Sequence, residues 1–152
     1  MAGYTTAMPT SFKAELASAL HNFATNGHDF RMALGKALPV GTYDATTTNY
    51  SSLTGNSDEV SGTGYTAGGY DFTAAQNISP AESGTTAYWS WAVNPTWTSA
   101  TFSTGGCLVY NATSGNRAVY VGSFGGSETV TAGTFTVLLP ANNSSSAILR
   151  LQ

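Results

Sequence analysis

Charge is scarce in this 152-residue chain: five Lys and Arg and eight Asp and Glu, 9% of residues, with a net charge of −3. Ordinary soluble domains carry roughly a quarter charged residues, so solubility here falls to Thr, Ser, Asn and Gly. The cations Lys13, Arg31, Lys36, Arg117 and Arg150 are scattered along the chain. Neutralising phosphates takes clustered Lys and Arg, and the sequence predicts no direct nucleic-acid partner. Cysteine is nearly absent. Cys107 stands alone, which rules out an internal disulfide, and its run GCLVY reads as a buried strand. Only two histidines occur, His21 and His28, with no third ligand at a recognised spacing, so neither metal nor cofactor is expected. No apolar run approaches the ~20 residues of a membrane span. MAGYTTAMPTSFKAEL lacks a secretory apolar stretch. The expectation is a protein made in a cytoplasm, with no membrane partner.

What the chain does have is Thr, Tyr, Val, Phe and Trp, residues that suit pleated, half-buried surfaces. One helix is predicted at 11–25, because Phe12, Leu16, Leu20 and Phe23 recur at helical spacing. Thr10 or Ser11 would cap its start, and Asn26-Gly27 would end it. DFRMALG then alternates, with Phe30, Met32 and Leu34 on one face. From 86 to 151 short strand-like runs follow one another: TAYWSWAV, ATFS, GCLVYN, RAVYVGSF, ETV, TFTVLL and AILRL. Turn clusters such as STGG, GGS and TAGT separate them, and Asn111 to Asn116 closes a hairpin. The predicted fold is mainly β, a single domain built as an antiparallel β-sandwich or barrel-like core with one N-terminal α-helix.

Residues 42–72 are polar and glycine-rich but carry spaced aromatics, which pure linkers lack. Within them, VSGTGYTAGGYDF imitates a dinucleotide-binding glycine loop. The context argues otherwise. Such a loop follows a buried strand and opens a helix whose N-terminus holds the pyrophosphate. Here polar LTGNSDE precedes it, a Gly pair follows it, and Asp58 and Glu59 place negative charge beside the imagined phosphate. The glycines read instead as turn and bulge positions.

Catalytic constellations are weak in the sequence. His28-Asp29 reads as a solvated corner, no G-x-S-x-G elbow occurs, and Glu82 and Glu128 form a glycosidase pair only if the fold brings them together. The expectation is a non-enzyme. YWSWAVNPTW is the richest aromatic stretch. Trp89, Trp91 and Trp97 fill a β core or an interface, or line a sugar-binding platform.

Several blocks occur in a recognisable order: the FKAEL helix, DFRMALG, EVSGTGYTAGG (59–69), NPTWTSATFSTGGCLVYN (94–111), AVYVGSFGG, AGTFTVLLPA and a terminal ILRL. This order resembles a widespread group of small structural proteins of tailed-bacteriophage virions, over about residues 10–151. Where those proteins carry an arginine-containing TARGA, this chain reads STGGC. The resemblance implies a virion location after assembly in the host cytoplasm, and a capsid decoration (cement) role. Partners would be the major capsid protein or another virion protein, and further copies in a homo-oligomer. A tail, neck or fibre-network component is the alternative, and a carbohydrate-binding module the second alternative. A decoration role suggests that 42–72 is an interaction arm, anchored on neighbours by Tyr43, Tyr50, Val60, Tyr65 and Tyr70, with Trp97 at an interface.

Overall fold

The computed structural model describes residues 2–152. In chain order the elements are β1 (Gly3–Tyr4), α1 (Thr10–Ala17), β2 (Phe30–Lys36), β3 (Thr42–Tyr43), α2 (Ser51–Gly55), β4 (Tyr70–Asp71), β5 (Ala81–Ser83), β6 (Thr86–Trp89), β7 (Thr96–Asn111), β8 (Arg117–Thr136) and β9 (Leu149–Leu151). A 3-10 turn, Ala74–Gln76, lies between β4 and β5.

Strand accounts for 43% of the chain and helix for 11%, so the fold is mainly β. The central sheet is antiparallel, ordered β4-β2-β7-β8, and a second antiparallel sheet runs β5-β6-β9. β1 and β3 form a short parallel pair. The central sheet ends on β4 and β8 and does not close, so the architecture is layered rather than a barrel.

Period-two alternation along β2 and β7 gives the central sheet two apolar faces. Phe30, Met32 and Leu34 meet Cys107 and Val109 on the first face, beneath Phe12, Phe23, Phe72, Trp89, Trp91 and Leu149. Ala33, Leu108, Tyr110 and Val121 form the second face, covered by Tyr43, Leu53, Tyr4 and Tyr50. Each large side chain fully buried here contributes about 1.5–3 kcal/mol relative to exposure. Both faces are thus enclosed by the chain itself, and this is what lets a domain with so few charges hold together without a disulfide.

Helix α1 is shorter than the apolar spacing predicts. It stops at Ala17, and Ala19 takes a left-handed φ of 54°. Pro9 stands at its N-cap position, and no side chain caps the start. Tertiary contacts override the local periodicity. His21 folds back to Glu15 at 2.8 Å, the Ser114 hydroxyl donates to Leu20 O, and Phe23 stacks on Phe30 with ring centroids 4.4 Å apart. A continued helix would forfeit those contacts.

The late strands are fewer and longer than the turn signals predict. ATFS and GCLVYN belong to one strand, β7, and RAVYVGSF, ETV and TFT belong to β8. The expected turns survive only as register shifts, near Thr104/Gly106 opposite Ser123–Glu128 and around Ala100 opposite Gly133. The hairpin at Asn111–Arg117 forms as expected. Bulges of this kind bend and twist a two-stranded ribbon without ending it.

Candidate functional site

The six residues expected to anchor neighbours lie against the chain's own sheet. Tyr43, on β3, is 1% exposed; its hydroxyl donates to Asp58 Oδ2 at 2.7 Å and its ring stacks on Tyr4. Burial, then the hydrogen bond to Asp58, pushes its hydroxyl up to about 12. Tyr50 stacks on Tyr110 with centroids 4.5 Å apart. Val60 is buried, and its N–H donates to Leu34 O on β2. Tyr65 packs along Trp97 and edge-on to Phe102, and Tyr70 meets Phe72 and Trp97 edge-on. Trp97 is itself 6% exposed. Residues 42–72 therefore lie against this molecule's own sheet, with Tyr43, Val60 and Trp97 buried and Tyr50, Tyr65 and Tyr70 half-buried, and within one copy the aromatic spacing serves an internal clasp.

Two adjacent acids organise the clasp. Asp58 is buried and accepts from the backbone N–H groups of Val40 and Gly41 as well as from Tyr43. Burial works to raise its carboxyl, but hydrogen bonds from Tyr43, Val40 and Gly41 outweigh it and hold the group below the ordinary range. Glu59 accepts from Tyr50 OH at 2.6 Å, Tyr65 OH at 2.8 Å and Gly68 N–H at 2.7 Å. An anion that gathers three donors fixes a loop otherwise built of glycine and threonine. The glycine stretch bridges to the ribbon at Thr63 and Thr101 and follows no strand-to-helix path. Sequence reading saw Asp58 and Glu59 only as charges unfavourable to phosphate. Two neighbouring acids in a long stretch with no cation were the available signal that something nearby must satisfy them.

The three tryptophans settle into the core. Trp89, Trp91 and Trp97 are 3%, 4% and 6% exposed. Trp91 stacks on Phe72, and Trp89 packs against Phe23. No indole face is turned outward for a sugar ring, which removes the platform on which the carbohydrate reading rested.

A second polar cluster, missed from sequence, joins both histidines. The Asn111 amide lies 2.9 Å from His21 Nδ1 and 3.0 Å from His28 Nδ1. His21 Nε2 meets Glu15 Oε2, and Arg117 donates to Glu15 Oε1 at 2.7 Å. Burial lowers the His21 imidazole below its ordinary value; Glu15 acts the other way, and His28 and Arg117 add to the lowering. Ser114 Oγ stands 3.5 Å from His28 Nδ1 but donates to Leu20 O at 2.9 Å. A hydroxyl committed to a carbonyl, beside an imidazole nitrogen already engaged by an amide, is not an activated nucleophile. The cluster ties α1 and the following turn to the β7–β8 hairpin. Cys107 is buried, and burial pushes its thiol up to about 12, which suits packing rather than reaction. Glu82 and Glu128 lie on different sheets, on β5 and β8. Among the described residues, no three His, Cys, Asp or Glu side chains are grouped to hold a metal ion.

The surface features that stand out are apolar. Leu38 is 88% exposed, Val40 79% and Leu138 77%. Leu38 and Val40 project from the turn between β2 and β3, which the Asp58 carboxylate pins through Val40 and Gly41. Leu138 projects from an extended strap after β8. Its neighbours are fixed: Val137 N–H donates to Pro95 O, and Leu139 N–H to Asn94 Oδ1. These side chains are held in solvent by ordered backbone.

No protein-family model, curated protein or solved structure matches this chain.

Proposed function

We propose that this protein is a non-enzymatic structural component of a tailed-phage virion, a capsid decoration protein that holds neighbours together. Its partners in this reading are the major capsid protein and further copies of itself. The observation that carries the reading is the pinned display of Leu38, Val40 and Leu138 on a chain with few charges. Leu38 and Val40 stand together on one hydrogen-bonded turn and Leu138 on a hydrogen-bonded strap, and apolar side chains grouped on a surface support a contact role, while backbone already ordered loses little entropy when it docks.

The two most specific blocks of the phage resemblance also pack on each other. EVSGTGYTAGG lies along the ribbon formed by PTWTSATF: Thr63 bridges Thr101, and Tyr65 covers Trp97 and Phe102. A shared sequence order therefore corresponds here to one structural unit, the clasp and its ribbon.

The test is to purify particles from infected host cells, locate this density by electron microscopy and count it. A copy number on the order of hundreds, spread over the head lattice, is expected from a symmetric shell. A count of about a dozen or fewer at a vertex or tail moves the protein to the tail or neck alternative. Absence from purified particles overturns the proposal.

A further inference from the structure

The turn between α1 and β2, residues 18–28, is fastened to the β7–β8 hairpin through one buried amide. Asn111 Nδ2 donates one hydrogen to His21 Nδ1 at 2.9 Å and the other to His28 Nδ1 at 3.0 Å. Its Oδ1 accepts from Ser114 N–H, which fixes the orientation of the amide. Phe23, between the two histidines, stacks on Phe30 and lies against Trp89 and Trp91. Elsewhere the turn is tied by scattered hydrogen bonds: from Ser114 Oγ to Leu20 O, from Asn26 N–H to Ala74 O, from Thr25 Oγ1 to Asn77 O, and from Asn77 Nδ2 to His28 O.

We propose that this amide and the two imidazoles form an acid-sensitive latch: protonation of the rings releases the turn 18–28 and uncovers the aromatic face beneath Phe23 while the sheet stays folded. A neutral imidazole has one acceptor nitrogen and a protonated one has none. Both acceptors are spent here on Asn111. A proton added to either ring therefore removes one of the amide's acceptors and sets N–H against N–H.

The charged groups facing the pair pull in opposite directions. Glu15, from α1, meets His21 Nε2 at 2.8 Å and favours a charged ring. Arg117, from β8, donates to the same carboxylate at 2.7 Å and offsets it. Asp29, next to His28, turns its carboxylate to Ala74 N–H. Burial decides the balance. The His21 side chain is fully enclosed, with the rings of Phe12 and Phe23 beside it, and its imidazole is held below its ordinary value. The closed latch thus resists a proton that the open one accepts, so acid favours opening below about pH 6.5. Solvent reaches the cluster at His28, which is half-buried. Releasing a short irregular segment exposes less surface than unfolding the sheet, so the turn opens first.

This latch works inside one folded copy and does not depend on the virion reading. The experiment is hydrogen exchange of the purified full chain between about pH 7.5 and 5.5, read by mass spectrometry and corrected for the intrinsic pH dependence of exchange. Protection over 18–28 is expected to fall about ten-fold for one proton taken up on opening, while β2 and β7 keep theirs. Acrylamide quenching of tryptophan fluorescence is expected to rise over the same range, because Trp89 and Trp91 lose the cover of Phe23. His28→Gln keeps a carbonyl acceptor for the amide but takes up no proton. Circular dichroism checks that this variant is folded, and its loss of protection on acidification is expected to be smaller than that of the wild type. Protection over 18–28 that ignores pH overturns the proposal. So does a fall shared equally by β2 and β7, or an undiminished fall in folded His28→Gln.

Discussion

Asn111 points its amide nitrogen at two imidazoles, 2.9 Å from His21 Nδ1 and 3.0 Å from His28 Nδ1, and its own side chain is buried. Both Nδ1 atoms act as acceptors, so in this arrangement both ring protons sit on Nε2, and that of His21 faces Glu15. An added proton on His21 Nδ1 would meet an amide N–H head-on. Burial, opposed by Glu15 and reinforced by His28 and Arg117, already holds the folded His21 below its ordinary value. The sign of the pH effect follows. An unfolded histidine takes up its proton as pH falls through about 6.5, while the folded one resists. Acidification therefore favours the unfolded state: stability is whole above about pH 6.5 and declines as pH drops from there toward the folded value. We predict that thermal midpoints measured between about pH 7.5 and 5.5 fall with pH, and that His21→Gln flattens part of that fall. Asn111→Asp puts a carboxylate between the two rings and is expected to reverse the slope. Identical slopes in the wild type and both variants would sink this account.

At the scale of elements, the clasp 42–72 shows how close backbone contact replaces regular structure. Gly69 takes φ of +79°, and a Cβ there would strike the Met32 carbonyl on β2. Gly84, in the β5–β6 turn, takes φ of +59° with open space around it. The pair separates conformational cost from steric cost. Gly84→Ala is expected to cost about 1–2 kcal/mol, the penalty of a left-handed residue alone. Gly69→Ala carries the same penalty plus the clash, and we predict a clearly larger loss in urea denaturation. Equal losses would mean that the clasp does not press on the sheet as the geometry says. Sequence made the sheet legible where one force dominates: alternation located β2, and Asn111 to Asn116 located the β7–β8 hairpin. It misplaced the end of α1 because Phe23 and His21 answer to partners outside the helix, Phe30 on β2 and the distant Asn111. It split β7 and β8 because glycine at a bulge carries the same local signature as glycine at a turn. The clasp tyrosines were visible, but their direction was not, since spacing cannot say whether a ring faces its own sheet or a neighbour's.

For the molecule as a whole, the near absence of charge decides how it meets partners. A net charge of −3 spread over 152 residues gives weak long-range steering. Between Ala118 and Leu149 the only charged side chain is Glu128, and the turn 37–41 has none. In the proposed role, contacts made through Leu38, Val40 and Leu138 would be apolar contacts, and their salt response has a definite sign. Sodium chloride screens ion pairs between exposed groups, with a Debye length near 10 Å at 0.1 M and about 3 Å at 1 M. An interface built on opposite charges weakens along that series. One built on buried leucine does not, and excluded salts such as sulfate strengthen it. We predict that self-association of the purified protein, followed by light scattering, holds steady as sodium chloride rises from about 0.1 to 1 M and increases in ammonium sulfate. Dissociation by sodium chloride would place the binding energy on the few charges instead, with exposed Arg150, Lys13 and Glu128 the first groups to neutralise. The same low charge bears on a shell of many copies. Like-charged neighbours repel over every repeated contact, and in the proposed decoration role a chain with so little charge would pack against further copies with little of that cost.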